Sequence, residues 1–174
     1  MVSTPKGDIV FLSTRDPRRS KFGEDTVPKD QDEQLAALNE QGLELGELAC
    51  ASDKTIDILI AHDKRAAETA ILNDCDKIRF SLSGHQHEQE QPKLIGNNTF
   101  LFVQGTTGGA SIEAPSYGPL KKHPADISVL YYDSFNHKPV GIVNITVQPD
   151  GRVSIGEFEP LAYPTNRIRY SNRI

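Results

Sequence analysis

Three short apolar runs, Asp8 to Ser13, Thr55 to Ala61 and Lys77 to Leu82, are separated by two stretches with helical spacing. This alternation constrains the chain more than any other feature, because strands joined by helical crossovers build an α/β sheet. Within Asp30 to Ala49, Leu35, Leu38, Leu45 and Ala49 recur near helical spacing. Asp30 or Asp32 is available as N-cap, and acids fill the first turn, where the helix dipole favours them. Gly42 and Gly46 weaken this helix and point to a shorter one. Lys64 to Leu72 forms the second helix, with Ala66, Ala67, Ala70 and Ile71 as its apolar stripe and Asp63 placed to cap it. The second and third strand runs stop at His62-Asp63 and at Ser83-Gly84-His85-Gln86-His87. In such sheets, ligands collect at the carboxyl ends of the strands.

The second half changes character. Lys93 to Ile95, Thr99 to Gln104, Asp126 to Tyr132, Val140 to Val147 and Arg152 to Phe158 read as strands. Gly96-Asn97-Asn98 and Pro149-Asp150-Gly151 have hairpin-turn chemistry between them. The fold class is therefore α/β, strand–helix alternation followed by an antiparallel β-rich part. Residues 110–125, with three prolines and one glycine, read as an ordered excursion. We take residues 1–160 as a single domain and 161–174 as a basic tail, frayed or wrapped on the surface.

Composition excludes several classes. There are 19 basic and 24 acidic side chains, a net charge of −5, which disfavours nucleic-acid binding through net charge. Residues 24–90 hold sixteen acids against six bases, a local −10 that reads as a solvated helical surface or a cation site. No apolar run approaches the ~18 residues of a membrane span, and the opening residues do not read as a signal peptide. Cys50 and Cys75 make neither a disulfide framework, a C-x-x-C motif nor a zinc ribbon, and they leave the compartment open.

Of the five histidines, His62, His85 and His87 fall at strand ends. Imidazole suits Zn, Mn and Fe ions, and strand-end loops bring residues distant in sequence to one point. On extended backbone, residues at i and i+2 share a face, so His85 and His87 would point together, with Gly84 allowing a tight turn before them. His123 and His137 lie in polar, proline-flanked loops and read as solvated. Nucleophilic catalysis lacks support: no G-x-S-x-G is present, and neither cysteine lies in an electropositive loop. Gln104 to Ala110 (Q-G-T-T-G-G-A) is not a nucleotide P-loop. It reads as a tight strand exit whose backbone amides are available to an anionic group.

The chain resembles the C-terminal half of the calcineurin-like metallophosphoesterase domain across roughly residues 8–158. The resemblance is carried by I-L-I-A-H at Ile58 to His62, S-G-H-Q-H at Ser83 to His87, and Q-G-T-T-G-G at Gln104 to Gly109, with D-P-R at Asp16 to Arg18 similar to some bacterial members. It implies the C-terminal half of a four-layer αββα sandwich with two divalent metal ions (Mn, Fe or Zn) at the strand ends. By the same resemblance His62 and His85 bind one metal and His87 the other. The ions, about 3.5–4 Å apart, bind a phosphate oxygen and activate a bridging water for attack on phosphorus.

The departures are equally specific. The family site also needs an Asp-x-His, a Gly-Asp-x-x-Asp that bridges the metals and a Gly-Asn-His followed by an acid, all upstream of the single histidine. This chain contains no Asp-x-His; Gly7-Asp8 lacks the second Asp, and Gly96-Asn97-Asn98 lacks the histidine. The resemblance therefore implies a partial domain, inactive alone, whose leaving-group acid and remaining ligands lie in an N-terminal half on a longer chain or a partner chain. Such a chain should expose a long strand edge.

The expected function is hydrolysis of a phosphate mono- or diester. Arg18 is expected to orient the substrate phosphate through its planar fork, or else to serve the turn. The alternative is a non-catalytic binding or assembly module on the same scaffold. A third possibility is a protein holding one ion through the three histidines. Substrate and compartment are not encoded in these motifs.

Overall fold

Asp57 explains how the first strand run folds. The computed structural model describes residues 1–4, 7–16, 30–86, 88–105 and 124–164. Within them, the stretch read as one strand from Asp8 to Ser13 divides into β2 (Gly7–Ile9) and β3 (Phe11–Ser13). Val10 between them donates its N–H to Asp57 Oδ2 at 2.7 Å, while its carbonyl accepts from the backbone N–H groups of Asp57 and Ile58. A side chain thus takes the ladder hydrogen bond. β2 turns back to pair antiparallel with β1 (Val2–Thr4), and β3 joins a different sheet.

The remaining elements are α1 (Gln31–Ala51), β4 (Ile58–Ala61), α2 (Lys64–Leu72), β5 (Phe80–Ser83), β6 (Glu90–Ile95), β7 (Thr99–Val103), β8 (Ala125–Asp133), β9 (Lys138–Val147), β10 (Val153–Ile155) and β11 (Glu159–Pro160). A five-stranded sheet has the order β3-β4-β5-β7-β6. Its first four strands are parallel, and β6 returns antiparallel to β7. Sheets built this way bury both faces, so their strands are short apolar runs.

Both helices cover one face. Leu45 and Ala49 of α1 and Ala67, Ala70 and Ile71 of α2 pack with Leu59, Ala61, Ile78 and Leu101. The other face presents Ile58, Phe80, Phe100 and Phe102 to Ile142 of the second sheet and to Leu161 just after Pro160. In that sheet β9 is central, paired with β8 on one side and with β10 and β11 on the other. Arg152 to Phe158, read as one strand, is in fact the short β10 followed by a break before β11. The molecule is mixed α/β in layers of helices, sheet and sheet. The long unpaired edge belongs to β8, whose nine residues have β9 as their sole strand partner among the described residues; the β3 edge is three residues long.

Two expectations are corrected. Gly42 and Gly46 do not shorten α1, which runs for 21 residues from Asp30, whose side chain accepts from Asp32 N. A Cβ at Gly42 would lie 2.5 Å from Thr69 Cβ and 2.7 Å from the Ala66 carbonyl. At Gly46 it would lie 2.9 Å from Asn73. The glycines let α1 and α2 approach closely, and that packing outweighs their weak propensity of ~1 kcal/mol each. Second, Cys50 and Cys75 are joined by a disulfide, with Cα atoms 5.2 Å apart, so one bridge ties the end of α1 to the turn after α2. In that turn Cys75 and Asp76 both have positive φ. The Asp74 carboxylate, which accepts from Asp76 N and Ile78 N, holds it in place. Among the described residues no helix is long and apolar enough to cross a membrane.

Candidate functional site

Parallel pairing of Ala61 with Ser83 sets the exits of β4 and β5 side by side. Gly84 N donates to the His62 carbonyl at 3.1 Å and fastens the two exits together. The tight turn there is made by His85, whose φ is 61°, with Gln86 N donating to the Gly84 carbonyl at 2.7 Å. The backbone at His85 is therefore left-handed and not extended, which removes the i, i+2 argument for His85 and His87. His87 itself, like Arg18, His123, most of the Gly-rich segment after Gly105 and the C-terminal tail from 165, lies outside the described residues.

The consequence is a close imidazole pair. His62 Nε2 lies 3.1 Å from His85 Nδ1, with the rings edge to face. Asp16, just beyond β3, places Oδ2 3.6 Å from His62 Nε2. Residues following three consecutive parallel strands thus converge, as strand-end sites require. His62 and His85 are about one-third exposed, whereas Asp16 is mostly and Asp63 entirely buried.

Asp63 has a different role. It caps α2 by accepting from Arg65 N at 2.9 Å, and Arg65 Nε and Nη2 grip its two oxygens at 3.0 and 2.7 Å. That hydrogen bond, and less so the charge behind it, holds the Arg65 guanidinium above its ordinary value against the opposing effect of burial. His85 Nε2 approaches Asp63 Oδ2 at 3.8 Å, so the carboxylate backs the imidazole while serving the helix.

No protein-family model matches the chain, and no curated protein matches it. What the site can do therefore follows from its own atoms. In a tetrahedral zinc site with bonds of roughly 2.0–2.1 Å, ligand atoms stand about 3.3 Å apart. The 3.1 Å between His62 Nε2 and His85 Nδ1 fits two ligands of one ion as well as it fits a hydrogen bond between the rings. Among the described residues no group of three or more His, Cys, Asp or Glu side chains is arranged to hold a metal ion.

A cavity of about 530 Å³ lies at the opposite end of the parallel strands, lined by Asp8, Lys54, Asp57, Arg79 and His137 among others. His137, read as a solvated loop residue, is half-exposed but has neighbours: Tyr132 Oη at 3.5 Å and Asp57 Oδ1 at 3.9 Å from its Nδ1. Burial and then the Asp57 carboxylate push the Tyr132 phenol well above its ordinary value. Asp57, just before β4, bonds Val10 between β2 and β3 and lies 3.9 Å from His137 in the β8–β9 turn, a position that sequence spacing does not signal. Asp16 opens the D-P-R motif, but nothing in the sequence marks it as a neighbour of His62.

Proposed function

We propose that the chain carries part of the site of a metal-dependent phosphoester hydrolase, with His62 and His85 as ligands of one divalent ion (Mn, Fe or Zn). The observation that carries this reading is the 3.1 Å approach of His62 Nε2 to His85 Nδ1 at adjacent parallel strand ends. When bound, the ion would supply positive charge to a phosphate oxygen and acidify water. The chain's own atoms position the imidazoles: Gly84 N fixes the His62 carbonyl, and Asp63 stands behind His85. Asp16 is a further oxygen donor beside His62. His87 is proposed as ligand of a second ion and Arg18 as a phosphate-orienting residue. The layer order of helices, sheet and sheet supports the finer assignment to part of an αββα metallophosphoesterase sandwich.

A complete two-metal site would need carboxylates and a leaving-group acid from an N-terminal half, on a longer chain or a partner chain. The chain alone is then expected not to hydrolyse a chromogenic phosphodiester or monoester with Mn²⁺ present. Adding a segment bearing Asp-x-His, Gly-Asp-x-x-Asp and Gly-Asn-His should give turnover that His85→Ala abolishes. Turnover unaffected by His85→Ala would sink the proposal.

A second reading, a non-catalytic binding or assembly module, is favoured by one observation: both oxygens of Asp63, the buried carboxylate nearest His85, are occupied by Arg65. It expects metal binding, if any, without turnover in any combination of segments.

A further inference from the structure

Where the parallel strands begin, opposite charges stand side by side without pairing. Ile56 and Ile78 form a parallel bridge, and Arg79 N donates to the Ile56 carbonyl at 2.9 Å. Asp57 and Arg79, the next residue of each segment, are therefore neighbours, yet no ion pair joins them. Arg79 Nη1 donates to the Asp76 carbonyl at 3.3 Å instead. The Lys54 ammonium has Met1 Sδ at 3.4 Å as its contact, and Asp8 in β2 has no ion pair among the described residues. All four side chains line the cavity of about 530 Å³, together with His137 of the β8–β9 turn.

Asp57 is the fixed point of this cavity. It is 1% exposed, and Val10 N donates to its Oδ2 at 2.7 Å. Its Oδ1 is also buried, and no hydrogen bond of ordinary geometry reaches it. His137 Nδ1, on the same cavity wall, stops at 3.9 Å. A buried carboxylate oxygen is costly to leave unmet, so Oδ1 marks a place where a donor belongs.

We propose that this cavity binds a small zwitterion, a molecule bearing an ammonium group and a carboxylate or phosphate. Asp57 Oδ1 and Asp8 take the ammonium; Arg79 and Lys54 take the anion. Charge selects this class of ligand. A simple anion would leave Asp57 Oδ1 and Asp8 unmet, and a simple cation would leave Arg79 and Lys54 unmet. A metal ion fits poorly, because among the described residues no group of three or more His, Cys, Asp or Glu side chains is arranged to hold one. The guanidinium fork of Arg79 suits a carboxylate or a phosphate equally. The volume lies within the ~300–1,000 Å³ of small-molecule sites. The cavity opens at the end of β4 opposite His62, so the proposal is independent of the metal reading.

Binding to the 174-residue chain is measured by calorimetry in metal-free buffer with two zwitterions, phosphoethanolamine and alanylalanine, which carry the anion as phosphate and as carboxylate. Ethanolamine, inorganic phosphate and acetate supply each charge singly. The expected result is saturable binding of at least one zwitterion with a Kd of ~1 mM or tighter, at least about tenfold tighter than any single-charge probe. Which zwitterion binds more tightly tells phosphate from carboxylate. Asp57→Asn, which keeps an acceptor for Val10 N, and Arg79→Gln should each weaken that binding at least about tenfold. His62→Ala/His85→Ala should bind like the wild type. Far-UV circular dichroism checks that each variant folds; if Asp57→Asn does not, Arg79→Gln and Asp8→Asn decide. The proposal is overturned by the absence of saturable binding of either zwitterion at about 10 mM, by a single-charge probe that binds as tightly, or by binding that the folded variants leave unchanged.

Discussion

His62 and His85 lie 23 residues apart in sequence, yet their Nε2 and Nδ1 atoms are 3.1 Å from each other. Neither residue sits in a strand; each follows one, and the pairing of β4 with β5 brings them together. The site is thus a property of the parallel sheet, and its integrity depends on what aligns those two exits.

Asp63 is one such element. It is fully buried, caps α2 and holds Arg65. Asp63→Ala should lower stability by about 2 kcal/mol, through loss of the cap and of a charge-assisted hydrogen bond. Urea unfolding of the two proteins checks this. A difference below ~0.5 kcal/mol would mean that α2 does not need its cap.

The α1–α2 crossing gives a prediction opposite to helix propensity. Gly42→Ala should destabilise by ~1–3 kcal/mol, because its Cβ would meet Thr69 Cβ at 2.5 Å. Gly84→Ala is the contrasting case: nothing lies within 4 Å of its Cβ, and it should be nearly neutral. Thermal melts of the two variants should rank them in that order; a stabilised Gly42→Ala would contradict the close packing.

The Cys50–Cys75 bridge closes a separation of 25 residues. On the chain-entropy argument Cys50→Ser/Cys75→Ser should cost about 3 kcal/mol. Thiol titration of the denatured, unreduced protein should find no free cysteine; two free thiols and unchanged stability in the variant would remove the bridge from the account.

Asp74 sets a pH dependence. Burial, the largest influence, pushes its carboxyl above the ordinary 3.8, against the backbone N–H groups of Ile78 and Asp76 that favour the charged form. The folded state then binds more protons than the unfolded one just above pH 3.8, so this group's contribution to stability falls as pH rises through that window. Chemical melts between about pH 3 and 7 should show wild type losing stability relative to Asp74→Asn as pH rises. A difference independent of pH would contradict this.

Local physics made part of the molecule legible. Lys64 to Leu72 is helical from its Asp63 cap to its last residue, because stripe, cap and length agree within nine residues. The strand exits at His62 and Ser83 were marked by the abrupt change from apolar to polar residues. What escaped depends on contacts between distant segments. The break at Val10 is made by Asp57, 47 residues on. Gly42 and Gly46 are explained by Thr69, Ala66 and Asn73 on another helix. Cys50 and Cys75 meet because two helices pack, and no motif spacing announces that. The left-handed turn at His85 follows Gly84 by one residue, where glycine itself was the expected turning point. At the site, the histidine pair was readable from strand ends, but Asp16 reaches it only through the parallel register of β3 with β4.

The proposed role of His62 and His85 is to ligate a divalent metal ion. Its most direct test is elemental analysis of manganese retained per chain, after purification with Mn²⁺ and exhaustive desalting, for wild type and His62→Ala/His85→Ala. About one ion or more per wild-type chain is expected, with background in the variant, since losing two imidazoles removes most of the donor set. Manganese in the wild type no higher than in the variant would contradict it, leaving the 3.1 Å approach of the rings as a hydrogen bond and nothing more.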